Sequence, residues 1–84
     1  MPHVNIKHFP AFLSDEKKTS LVTAVTKAVQ NAFDCNEGAI SIALEPIEQE
    51  IWKEQVYLPE IEHRKNLLCK EPNYLPSTVN KEQR

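Results

Sequence analysis

Pro2-His3-Val4-Asn5-Ile6-Lys7-His8-Phe9-Pro10, at the head of an 84-residue chain, is the stretch on which the fold turns. Val4, Ile6 and His8 alternate with His3, Asn5, Lys7 and Phe9, giving a period of two with one clearly apolar side. That pattern predicts a short, half-buried strand. Pro10 lacks the N–H that a ladder requires and closes the run. The stretch also holds a candidate for chemistry. Removal of Met1 would leave Pro2 with a free secondary amine, its φ fixed by the ring and its position by the strand behind it.

Outward from this strand, Ser14 has the character of a helix N-cap, and Asp15 and Glu16 fall in the first turn, where the helix dipole favours acids. Leu21, Val25, Ala28, Val29 and Ala32 recur at helical spacing, with Val22 and Phe33 on the flanks and Lys17, Lys18, Lys27, Gln30 and Asn31 elsewhere. An amphipathic helix of about five turns follows. It is expected to stop near Asp34-Cys35-Asn36-Glu37-Gly38, with the chain's single glycine supplying a permissive turn. Ile40, Ile42 and Leu44 then alternate with Ala39, Ser41 and Ala43 as a second strand, which Glu45-Pro46 is expected to break. The order is β-α-β, and a helical crossover joins parallel neighbours with a right-handed connection.

Beyond Pro46 the pattern is less regular. Ile47 to Leu58 reads as a short helix carrying Ile51, Trp52 and Val56, which Pro59 breaks or kinks. Glu60 to Lys70 reads as a further helical turn or two with Ile61, Leu67 and Leu68 inward, and Pro72 to Pro76 as turns. Residues 1–76 are expected to form one domain and 77–84 a polar, flexible tail. The fold class is therefore α+β, a β-α-β unit with short C-terminal helices. A chain this short buries only about 60% of the surface it exposes when unfolded, and two parallel strands are too few for a stable sheet. The sheet is expected to be completed across a homo-oligomer interface.

Composition narrows the function classes. A formal net charge of −2 without a basic stretch argues against nucleic acid as partner. The apolar runs are far shorter than the roughly 20 residues of a membrane span, and the start lacks the order of a secretory leader. A cytoplasmic protein is expected. Cys35 and Cys69, far apart in sequence, read as free thiols without an activating base. His3, His8 and His63 lack metal-ligand spacing, so neither a metal nor another cofactor is expected. Glu45, Glu48 and Glu50 read as a solvated acidic cluster.

The order of these features resembles a known group. MPHVNIKHFP, then SDE opening an amphipathic helix, then ISIALEPI, a Trp within EIWKEQVYLPEI and a closing LLCKEPNY are similar to the tautomerase superfamily typified by 4-oxalocrotonate tautomerase, and to its PptA-like bacterial branch. The resemblance covers roughly residues 1–75. It implies a cofactor-independent isomerase for keto–enol tautomerisation of a 2-oxo or 2-hydroxy acid, with Pro2 as general base and acid, and a homodimer with a four-stranded sheet, trimers of dimers staying open as in the short parent members. The physical requirement is independent of the resemblance. A general base works best with a pKa near the operating pH, and an apolar pocket or nearby cation brings a prolyl amine down toward it.

Other family positions carry over unevenly. Arginines that grip carboxylates in the parent members correspond here to Ser41 and to the neighbourhood of Phe12-Leu13, so neither place holds a cation. That departure favours a monoacid of the arylpyruvate type over a dicarboxylate. Trp52 matches the family's pocket aromatic by count, and Phe9 a second apolar pocket position. Trp52, Phe9 and Ser41 are thus the candidate substrate-binding residues, Trp52 being equally readable as core and Ser41 as a solvent-facing strand serine. Lys7, His8 and Arg64 are further candidates for the missing cation, each also readable as a solvated side chain. Two other readings stay open: a non-catalytic binding module on a tautomerase-like fold, and hydration or dehalogenation of a small unsaturated acid.

Overall fold

The computed structural model describes residues 1–74, so the expected tail at 77–84 lies outside the described residues. The chain divides into two compact units, Met1–Pro46 and Ile47–Arg84. The first is the β-α-β motif. Strand β1 (His3–His8), helix α1 (Asp15–Phe33) and strand β2 (Ser41–Pro46) follow in order. β1 and β2 pair in parallel, with His3 opposite Ser41 at one end and His8 opposite Pro46 at the other. This register sorts the side chains onto two faces. Val4, Ile6, Ile42 and Leu44 form a half-buried apolar face, whereas His3, Asn5, Ser41 and Glu45 are exposed on the other.

The boundaries of α1 have local causes. Ser14 is extended, and its hydroxyl accepts the Lys17 N–H at 3.2 Å, satisfying a donor that the first turn cannot pair. At the other end the expected glycine cap does not occur. Asp34 takes the left-handed conformation (φ 54°, ψ 54°) and its N–H reaches the Gln30 carbonyl at 2.8 Å. A short polar side chain tolerates this backbone. Gly38 instead lies in a 3₁₀ turn, Glu37–Ala39, without a positive φ. β2 also runs further than the Glu45-Pro46 pair suggests. Glu45 sits opposite Lys7 and accepts the Asn5 side-chain amide at 3.0 Å, which holds it in the ladder. Pro46 occupies the last register position, where a missing donor is tolerated.

The second unit departs most from expectation. A 3₁₀ turn, Gln49–Ile51, leads into a ten-residue π-helix, Lys53–Glu62, which passes through Pro59 without breaking. In an α-helix the proline ring would strike the carbonyl four residues back. The wider π turn, with bonds such as His63 N–H to the Leu58 carbonyl at 2.9 Å, moves that carbonyl aside and leaves one absent donor as the cost. A second 3₁₀ turn covers Lys65–Leu67. Ile47, Trp52 and Val56 are the buried apolar residues of the described chain. Trp52 and Val56 are one helical turn apart, so their side chains share a face. Ile61 and Leu68 are half-buried, but Leu67 is 60% exposed and does not point inward. No residue of the first unit reaches full burial, and Phe33 and Phe12 are well exposed there.

Candidate active site

Pro2 lies half-buried at the N-terminal end of β1, just outside the paired register. Its carbonyl accepts the Ser41 N–H at 3.2 Å, which ties the residue to the start of β2. Parallel pairing brings the two strand beginnings together, so Pro2, His3 and Ser41 meet at one end of the sheet. His3 and Ser41 are directly opposed on the exposed face, with His3 Nδ1 2.7 Å from Ser41 Oγ. Ser41 was legible as a candidate from sequence. His3 was not, because only the register reveals which serine it faces.

Phe9 is elsewhere. It follows the other end of β1, half-buried, and its carbonyl accepts the Nδ1–H of His8 at 2.7 Å. That bond fixes the His8 tautomer. A six-residue strand is about 20 Å long, too far for Phe9 and Pro2 of one chain to touch the same small molecule. A cleft of about 410 Å³ opens near this end, lined by Phe12, Leu13, Asp15, Lys18, Leu44 and Pro46.

Trp52 belongs to the second unit, where it is buried and its indole N–H donates to the Tyr74 hydroxyl at 2.9 Å. Tyr74 in turn packs against Tyr57, ring centroids 5.7 Å apart and tilted by 56°. Such a tilt suits the quadrupoles of the two rings. The tyrosines border a cleft of about 420 Å³ together with Ile61, Leu68 and Pro72. Trp52 therefore orients a wall of this cleft without lining it. Neither tyrosine stood out in the sequence, since their meeting depends on how the chain after the π-helix returns. Neither cleft is lined by Pro2, Phe9, Ser41 or Trp52.

The remaining candidates are engaged locally. Arg64 pairs with Glu60 at 3.1 Å one helical turn away, on an exposed surface. Glu45 is held by Asn5, apart from the exposed Glu48 and Glu50. Cys35 and Cys69 are free thiols. Among the described residues no group of three His, Cys, Asp or Glu side chains is placed to hold a metal ion, and no helix is long and apolar enough to cross a membrane.

Comparison with known proteins identifies the family of the chain. Residues 2–56 match the model of the tautomerase family, described as tautomerase enzyme. The chain is 40% identical over 74 residues to Tautomerase PptA of Enterobacter sp. (strain 638), a span of 88% of this chain and 97% of that protein. Over the same span and shares it is 39% identical to Tautomerase PptA of Klebsiella pneumoniae (strain 342) and 35% identical to that of Pectobacterium atrosepticum.

Proposed function

From the premise that the chain belongs to the tautomerase family and is an isomerase of that class, we propose that Pro2, freed by removal of Met1, is its acid–base group. The observation that carries the reading is the place of Pro2. It stands at the open end of β1, clamped through its carbonyl to Ser41, with Met1 fully exposed beyond it. The free amine takes a proton from the carbon next to a 2-oxo group, the electrons pass to the carbonyl oxygen, and the proton returns there to give the enol. Ketonisation is the reverse. No net proton or electron is exchanged, so no cofactor is required.

The substrate we propose is a 2-oxo monoacid bearing an aromatic ring, with Ser41 donating to its carboxylate and Phe9 as an apolar contact. The length of β1 requires that Phe9 come from a second copy of the chain if it serves the same site as Pro2. A homodimer with a four-stranded sheet is the assembly that fits. The outer edges of a two-stranded sheet are unpaired templates for further strands, and the first unit has no fully buried side chain of its own.

The test combines mass and rate. Intact-mass spectrometry should find the chain lighter by one methionine, and that form should ketonise phenylenolpyruvate. Retention of Met1 would leave an amide nitrogen without basicity and remove the proposal, as would a Pro2→Ala variant of undiminished rate.

A further inference from the structure

The His3–Ser41 pair joins the two strands at the end where Pro2 lies. Both side chains are exposed, the ladder at this point is closed by the Ser41 N–H to Pro2 bond, and yet the imidazole and hydroxyl stand at 2.7 Å. Of the cationic or cation-forming side chains on the two strands, His3, Lys7 and His8, His3 alone shares the strand end with Pro2. We propose that His3 is a positioning residue of the active site, which sets the Ser41 hydroxyl to donate to the carboxylate of a monoacid substrate. The proposal rests on Pro2 being the acid–base group.

The chemistry follows from the hydrogen-bond inventory of the two side chains. When Nδ1 of His3 carries no proton, it accepts the Ser41 O–H, and the hydroxyl offers a ligand only lone pairs. When Nδ1 is protonated, it donates to Ser41 Oγ, and the hydroxyl proton is released to point outward. A carboxylate selects the second state, because it needs a donor, and a shift of the His3 tautomer is enough to supply one.

The test uses the Met1-free protein with phenylenolpyruvate and its methyl ester. His3→Phe and Ser41→Ala should each raise KM for the acid about tenfold with little change in kcat, as expected for one lost hydrogen bond to a charged group. The double variant should be no worse than either single one, since the residues act as a unit. The ester should be almost indifferent to all three. His3→Asn, whose side-chain amide can donate in place of Nδ1–H, should recover part of the affinity for the acid. A direct arm separates this from the role of Pro2: Pro2→Ala protein should bind 3-phenylpropanoate, which cannot tautomerise, about tenfold more tightly than Pro2→Ala/His3→Phe. Equal losses for acid and ester, an unchanged KM, or equal binding in the direct arm would overturn the assignment of His3. An undiminished rate for Pro2→Ala would instead overturn the proline reading and leave the binding result to stand alone.

Discussion

At the scale of single residues, the proposed chemistry concentrates where two strands begin. In that proposal Pro2 supplies a nitrogen with one fixed torsion, and Ser41 and His3, opposed in the register, supply the donor. One well-placed acid–base group is worth about 10²–10⁴-fold in rate. Pro2→Ala is therefore expected to lower kcat/KM for phenylenolpyruvate by roughly that factor, measured in steady state with the fold checked by circular dichroism. Trp52 is a second residue whose role is local. Trp52→Phe removes the donor to Tyr74 and should cost about 1 kcal/mol, whereas Trp52→Ala also opens a cavity and should cost about 3–5 kcal/mol. Urea unfolding of the two variants reads both numbers. Equal losses would show that the bond to Tyr74, and not packing, is what the ring contributes.

At the scale of elements, α1 is defined by its ends more than by its interior, because none of its residues is fully buried. Ser14→Ala deletes the cap on the Lys17 N–H and should lower stability by about 1 kcal/mol. Asp34→Gly should raise it by roughly 0.5–1 kcal/mol, since glycine adopts the left-handed conformation without strain. Thermal unfolding of both variants gives the signs directly; two shifts of the same sign would contradict the capping account. The π-helix carries a different lesson. Pro59 reads in sequence as a break, yet a change of hydrogen-bond period from four residues to five lets the segment continue. Propensity rules for proline are rules about the α-helix, and the π geometry escapes them.

At the scale of the whole molecule, the described fold presents more apolar surface than one small chain covers. Phe12 is 90% exposed and Phe33 68%, and the sheet has two strands among the described residues. The proposed homodimer accounts for both the open sheet edges and the separation of Phe9 from Pro2. Light scattering should give twice the chain mass, and the midpoint of thermal unfolding should rise with protein concentration, as mass action requires when folding and association are linked. A monomeric mass in active protein would sink this arrangement and with it the role of Phe9. By itself, then, the sequence determined the β-α-β unit. Its periods of two and 3.6, the Ser14 cap and the place of Pro2 are all local properties, written into neighbouring residues. Tertiary structure decided what depends on register and on return of the chain. Which serine faces His3, which tyrosine receives the Trp52 N–H, and why Pro59 interrupts nothing are relations between residues far apart or between competing backbone geometries, and no local pattern encodes them.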